Sequence, residues 1–172
     1  LGNQTQLDDP NSGTVDYTYN PLGLIDTETD SKGQVTQYEY DRLERLTKRI
    51  DNSTASNPSS RTHSWHYDNQ PNGIAQLGNI LGVNTDGTSY SETYTYTSLS
   101  LPETVSINID NKNYQITNWY DDYSRNIGLV YPSGFILTNS YNEYGHMSQV
   151  QNGTTGDMLR QATGDDALGN IT

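Results

Sequence analysis

"YEYDRLERLTKRI" (residues 38–50) sets two tyrosines two residues apart, follows them with an aspartate, and continues into Arg-Leu-Thr. Aromatics at i and i+2 fall on one face of an extended strand. An Asp directly after them can bond its own backbone and open a turn. Arg-Leu-Thr then begins a returning strand. The stretch therefore reads as strand, turn, strand.

The phrase recurs, imperfectly, along the whole chain. It appears as "YTYNPLGLI" (17–25), "WHYDNQPNGIAQL" (65–77), "YTYTSLSLP" (94–102), "NWYDDYSRN" (118–126) and "NSYNEYGHM" (139–147), with a last copy, "GDDALGNIT" (164–172), that has lost its aromatic. The anchor positions are Tyr19, Tyr40, Tyr67, Tyr96, Tyr120, Tyr141 and Asp165, spaced 21 to 29 residues apart. The pairs Tyr17/Tyr19, Tyr38/Tyr40, Trp65/Tyr67 and Tyr94/Tyr96 supply the aromatic face. Asn20, Asp41, Asp68, Asp121 and Asn142 fall in the turn slot. Gly23, Gly145 and Gly169 sit four residues past their anchors, where a positive φ suits glycine.

A second strand leaves each turn, most clearly in "ETVSINID" (103–110), where Val105, Ile107 and Ile109 alternate with Thr104, Ser106 and Asn108. Second turns are signalled by "DSKG" (30–33), "NTDG" (84–87), "DNKN" (110–113) and "PSG" (132–134). Alternation with a turn about every ten residues predicts an all-β chain of hairpins. One hairpin is marginal in water, but a series laid strand beside strand forms a continuous sheet. The segment 52–62 reads as a long surface loop, and a short helix is an option within 151–166.

Composition sharpens this picture. Of 172 residues only 31% are hydrophobic, yet fourteen are Tyr and two Trp, so the expected core is built largely from tyrosine. The net charge of −12, with 21 acidic and nine basic residues, excludes nucleic acid as a partner, because phosphate binding needs clustered cations. Arg42, Arg45, Lys48 and Arg49 do crowd together and are read as a solvated strand face. There is no Cys, which excludes disulfides and thiolate metal sites. No apolar run approaches the ~20 residues of a membrane-spanning helix, so membrane insertion by this segment is not expected. The chain opens "LGNQTQ" with neither Met nor a signal peptide, and residues 1–172 are expected to be a single array within a longer protein.

Taken together, these phrases resemble the YD repeats of the RHS family, roughly Tyr-Asp-x-x-Gly-Arg-Leu, which also occur in teneurins. The "YPSGF" element (131–135) resembles the spacer between bacterial repeats. Glu44, Ser100 and Ser124 replace the expected Gly, so those turns are expected to differ in geometry. The resemblance implies a continuous curved β-sheet ribbon, part of a shell or barrel-like wall. It also implies a structural role: repeats of insecticidal toxin complexes and polymorphic RHS toxins enclose a C-terminal toxin or effector. Implied partners are the rest of the parent chain, that toxin and other toxin-complex subunits. The implied location is secreted or cell-surface, as part of an exported bacterial protein.

No nucleophile elbow, phosphate loop or zinc motif occurs. His63 and His66 are predicted to face opposite ways, and the pairs Asp121/Asp122 and Asp165/Asp166 fall in turn slots. Neither catalytic residues nor a cofactor or metal is expected. The competing reading is an adhesion or carbohydrate-binding module, with Trp119, Tyr123 and Tyr144, off the Tyr-x-Tyr face, as its stacking candidates.

Overall fold

The structure, a computed structural model, describes residues 2–51, 61–84 and 86–164. Among the described residues, fourteen strands form one open sheet in strict sequence order, with every neighbouring pair antiparallel. No helix occurs among the described residues. β1 (Gln6–Asp9) begins the sheet and β14 (Met158–Gln161) ends it. Between them lie six hairpins, each carrying one anchor tyrosine. They are β2 (Gly13–Tyr19) with β3 (Ile25–Thr29), β4 (Val35–Tyr40) with β5 (Leu46–Asp51), and β6 (Arg61–Tyr67) with β7 (Leu77–Val83). The rest are β8 (Ser89–Tyr96) with β9 (Pro102–Ile109), β10 (Lys112–Tyr120) with β11 (Asn126–Val130), and β12 (Ile136–Tyr141) with β13 (Met147–Asn152).

Because the chain runs up and down without crossovers, all six anchor turns lie along one rim of the ribbon. The connecting turns lie along the other. The register sorts the two faces. Tyr38 opposes Arg49, which opposes His63; Tyr94 opposes Val105, which opposes Ile116. This face collects the aromatic and aliphatic side chains. Thr18 opposes Thr27, Thr93 opposes Ser106, and Ser106 opposes Gln115, so the other face is rich in hydroxyls and amides. Val105, Ile107 and Ile109 alternate with Thr104, Ser106 and Asn108 as the sequence predicts.

A single layer cannot enclose a core, and here the expectation of a tyrosine core is corrected. Tyr96, 7% exposed, is the buried hydrophobic side chain among the described residues, and the other anchors are half-buried. The short helix considered for 151–166 is also absent from its described part. Residues 152–157 form a turn, closed by Asn152 N donating to Asp157 O at 2.9 Å, that leads into β14. Arg61 and Thr62 already belong to β6, while 52–60 of the expected surface loop lie outside the described residues. The copy anchored at Asp165, with Gly169, also lies outside them.

Candidate functional site

Five of the six anchor turns are built the same way; the longer one after Tyr67 closes from Asp68 N to Gln76 O at 3.1 Å. The N–H of the residue after the anchor donates to the carbonyl four residues on: Asn20 to Leu24, Asp41 to Arg45, Thr97 to Leu101, Asp121 to Arg125 and Asn142 to His146, all at 2.8–3.1 Å. The side chain of that same residue accepts two amides. Asp41 Oδ1 takes Leu43 N at 2.8 Å and Arg45 N at 3.0 Å, and Asp121 Oδ1 takes Tyr123 N and Arg125 N, each at 2.9 Å. Asn20 and Asn142 repeat the pattern, and Thr97 does so through its hydroxyl. The turn slot read from sequence thus ties the loop to itself, and its carboxylates are occupied by backbone.

The fourth residue past the anchor has φ near +82° in Gly23 and +83° in Gly145. Glu44, Ser100 and Ser124 have φ of 62°, 60° and 63°. The expectation of a different geometry at these three is therefore corrected: the fold holds them in the left-handed region despite their Cβ. The two amides bound by the preceding Asp or Thr fix the loop from both sides, and the cost, roughly 1–2 kcal/mol per residue, is carried by the rest of the hairpin.

Every anchor hairpin also carries a β-bulge immediately before its tyrosine. Tyr40 opposes Leu46 while Glu39 opposes Lys48, leaving Thr47 unmatched; Tyr120 opposes Asn126 while Trp119 opposes Gly128, leaving Ile127 unmatched. The same break occurs at Tyr19, Tyr67, Tyr96 and Tyr141. An extra residue there bends the strand and ends regular pairing.

That interruption creates an acceptor. The β3–β4 ladder covers Thr27–Thr29 and stops short of Ile25, so the Ile25 carbonyl has no strand partner. The Tyr40 hydroxyl donates to it at 2.9 Å. Tyr67 donates to Leu46 O at 3.0 Å, Tyr96 to Leu77 O at 2.6 Å, Tyr120 to Pro102 O at 2.8 Å and Tyr141 to Asn126 O at 2.7 Å. Tyr19 does the same to Gln4 O. Each anchor phenol thus takes the place of a missing rung and ties its repeat to the one before.

Two junctions carry a second tie. Arg45 donates from Nε to Asp41 at 2.8 Å and from Nη2 to Asp68 of the next turn at 2.6 Å, and its guanidinium lies 4.3 Å from the Tyr67 ring centroid. Arg125 pairs with Asp121 at 2.7 Å and lies 4.5 Å from the next anchor ring, Tyr141, and 5.0 Å from Tyr123. The Arg45 guanidinium holds the Asp68 carboxyl below the usual carboxylate range, helped by Ala75 N. At Asp41 partial desolvation pushes the carboxyl up, but bonds from the Arg45 amide and guanidinium and from Leu43 N outweigh it. Asp121 follows the same balance with Arg125 and Tyr123.

Three of the four cations of the basic cluster are in ion pairs: Arg45 with two aspartates, Lys48 with Glu39 at 3.0 Å and Arg49 with Asp51 at 2.6 Å. His63 shares the aromatic face with Trp65, and its Nε2 lies 3.8 Å from Asp51. Tyr38 donates to Glu28 at 3.0 Å, and Tyr90 and Tyr94 both donate to Glu92. Tyr17, one turn earlier, opposes Glu28.

Of the stacking candidates, Trp119 lies over Gly128, where an added Cβ would stand 2.6 Å from its Cε3, so much of one indole face is covered. Tyr123 and Tyr144 occupy equivalent tips of successive turns and bound a cleft of about 520 Å³ with Arg125, Asn142, Glu143 and Gly145. Trp119 lies apart, in a cleft of about 320 Å³ shared with Leu99 and Glu103. The structure therefore joins two of the three candidates. Sequence reading missed the arginine brace. It was recoverable, since an Arg five residues past an anchor and an aromatic at the next anchor occur together twice. It singled out Tyr123 and Tyr144 but not the tip position, three past the anchor, that they share with Leu22, Leu43 and Leu99.

Residues 19–56 match the family model described as RHS Repeat. Two curated relatives, "Probable deoxyribonuclease RhsA" and "Probable deoxyribonuclease RhsB" of Dickeya dadantii (strain 3937), are each 26% identical over 144 residues, covering 83% of this chain and 9% of the relative. Among solved structures, TcdB2-TccC3 without its hypervariable C-terminal region superposes with a TM-score of 0.70 at 12% identity, over 94% of this chain and 10% of that one. Another TcdB2-TccC3 crystal structure gives 0.61 at 13% identity over the same shares. The chain thus spans about a tenth of the proteins it matches, and the structural likeness shows a shared fold. Residues 19–56 thus carry a matched RHS repeat, and the chain around them is similar to Rhs proteins in sequence and to TcdB2-TccC3 in fold, its tyrosine-anchored turns resembling their YD phrases.

Proposed function

We propose that the chain is a non-catalytic wall segment of an RHS shell that encloses, and helps deliver, a C-terminal toxin or effector of the same parent protein. The observation that carries this reading is the continuous 14-stranded ribbon itself, which shares its fold with TcdB2-TccC3 over 94% of the chain. Its chemistry supports the same reading. The turn carboxylates Asp41, Asp68 and Asp121 are committed to turn amides and arginine. The name of a probable deoxyribonuclease belongs to relatives of which this chain spans 9%, so no nuclease chemistry is assigned to the ribbon. Under this reading the partners are the remaining parent chain, its cargo and further toxin-complex subunits, and the protein is exported.

Limited proteolysis of the full-length parent, with fragments identified by mass spectrometry, tests the reading. The repeats should survive, and the C-terminal segment should resist cleavage until the protein is denatured. Immediate removal of that segment while the repeats stay whole would overturn it.

A second reading, a carbohydrate-binding or adhesion module, is favoured by the Tyr123–Tyr144 cleft, where two exposed rings flank Arg125, Asn142 and Glu143. Flat rings with convergent polar groups suit a sugar. Glycan-array screening of the parent decides it: a clean negative removes the sugar, and signal abolished by Tyr123→Ala with Tyr144→Ala supports it.

A further inference from the structure

Two junctions between anchor hairpins are closed by an arginine five residues past the anchor. Arg45 lies 4.3 Å from the Tyr67 ring centroid and pairs with Asp68, and Arg125 lies 4.5 Å from that of Tyr141. At the junction between Tyr96 and Tyr120 the same position is Leu101, which carries no charge. The cleft there, about 320 Å³, has no Lys, Arg or His in its lining. A joint that is cationic in two counterparts thus lacks positive charge here.

The groups around it complement a cation. Thr95 opposes Thr104 and Tyr96 opposes Pro102, so Glu103 is the unmatched residue of the bulge. A bulge re-aims the side chain it releases, and Glu103 is exposed on the wall of the cleft. Its carboxylate makes no ion pair or hydrogen bond among the described residues. Asp121, the other carboxylate of the lining, is already held by Arg125 at 2.7 Å. Trp119 stands just before the next anchor, with Gly128 of β11 against one side of its indole. The cleft lies on the β9 side, with Leu99, Leu101 and Glu103. Tryptophan is the best aromatic partner for a cation. The combination is particular to this junction. Elsewhere the bulge residue and the residue before the next anchor are Asp26 with Glu39, Thr47 with His66, Gly78 with Thr95, and Ile127 with Ser140. None of these joins a carboxylate to an aromatic ring.

We propose that this cleft binds an organic cation, an ammonium or guanidinium head on an aliphatic stem, as in a lysine or arginine side chain. Glu103 pairs with the charge, the open side of the Trp119 indole lies against it, and Leu99 and Leu101 cover the methylenes. The incoming head takes the place that Arg45 and Arg125 fill at their own junctions. At about 320 Å³ the cleft is at the small end of ligand sites, which suits one such group. The inference is independent of the shell reading, since it asks only for two adjacent hairpins.

Saturation-transfer NMR on the native full-length parent tests the cleft, because it detects weak ligands on large proteins. The probes are Nα-acetyl-arginine amide, Nα-acetyl-lysine amide and Nα-acetyl-citrulline amide, the uncharged analogue of the first. Binding is read as the difference between the parent and its Glu103→Gln variant, which cancels every other site. Glu103 is exposed, so the substitution leaves the fold in place. Both cations should lose affinity by about tenfold in Glu103→Gln, and by about tenfold in Trp119→Leu. The citrulline analogue should show no difference. Cation affinity unmoved by Glu103→Gln overturns the proposal, and so does a citrulline signal equal to that of arginine. n-Butylamine separates the sources. Affinity equal to that of the lysine amide assigns the cleft to free alkylamines, and tighter binding of the lysine amide assigns it to a polypeptide side chain; either result supports the cation.

Discussion

The Tyr96 hydroxyl donates to the Leu77 carbonyl at 2.6 Å, joining the fourth anchor to the strand that faces the third. Tyr96 is also the most enclosed of the anchors, so this bond is the least diluted by water. It stands where the β7–β8 ladder has already ended at Asn79 and Thr93.

Tyr96→Phe keeps the ring and leaves the Leu77 carbonyl unpaired, which should cost about 1–3 kcal/mol. Urea unfolding followed by circular dichroism reads the loss directly. Tyr123→Phe, whose hydroxyl has no such acceptor among its described bonds, should leave the midpoint unchanged. Equal effects from the two would show that the phenol–carbonyl bond contributes nothing.

Stability should fall in acid through the turn aspartates. The folded-state carboxyls of Asp41, Asp68 and Asp121 lie below their ordinary value, about 4 when unfolded. Their contribution is complete above that value and is lost as pH falls through the folded-state values. Arg45→Ala should flatten this dependence more than Arg125→Ala, because Arg45 bridges two carboxylates and Arg125 one. Thermal unfolding of the three proteins between pH 7 and strongly acidic conditions decides it. Identical pH profiles would remove the bridges from the argument.

At the alkaline end the sign reverses. Desolvation, and then the bond to Glu28, push the Tyr38 phenol up to about 12, and desolvation raises Tyr40 and Tyr96 as well. Stability from these groups is complete below the unfolded value of about 10 and is lost as pH rises through the folded ones. Tyrosinate absorbance should therefore include a component, from Tyr38, Tyr40 and Tyr96, that appears only above the unfolded value. A single step near the unfolded value would contradict the burial seen on the aromatic face.

Replacing Glu44, Ser100 or Ser124 by Gly should stabilise each turn by about 1 kcal/mol, relief of left-handed strain being offset in part by the entropy of glycine. Gly33→Ala, at φ 76° and in otherwise open space, should destabilise by a similar amount. Differential scanning calorimetry of single variants would show it, and a loss of stability in all three Gly variants would contradict the strain.

Gly128→Ala should evict the Trp119 indole, since the new methyl would stand 2.6 Å from Cε3. The expected sign is a red shift of tryptophan emission against the background of Trp65. An unmoved spectrum would mean that the ring accommodates the methyl in place.

Much of this fold is legible in the residues. Tyr38/Tyr40 and Asp41 announce strand and turn, because alternation and self-bonding by Asp are local properties. Val105, Ile107 and Ile109 announce the face. The role of Tyr40 as a tie to Ile25 is not local, because it depends on where the β3–β4 ladder ends. A bulge leaves no mark in composition, which is why Thr47 and Ile127 read as ordinary strand residues. The tyrosines were expected inside a core for the same reason: alternation shows which face is apolar but not whether a second layer covers it. Glu44 misled in the opposite direction, since intrinsic preference argues against a left-handed Glu and the bonds of Asp41 override it.

The anchor phenols read only main-chain oxygen. Leu46, Leu77, Pro102 and Asn126 all serve as acceptors, although their side chains have nothing in common. The anchor bond at each junction is consequently indifferent to the identity of the neighbour, and a hairpin can be duplicated, deleted or transplanted as a unit with that tie intact. Where Arg45 reaches Asp68, Arg125 lies over Tyr141 and Tyr38 reaches Glu28, one hairpin demands something particular of its neighbour. Growth of such a protein by whole hairpins is mechanically simple, with those charge-keyed joints as the few places where the order of the pieces is fixed.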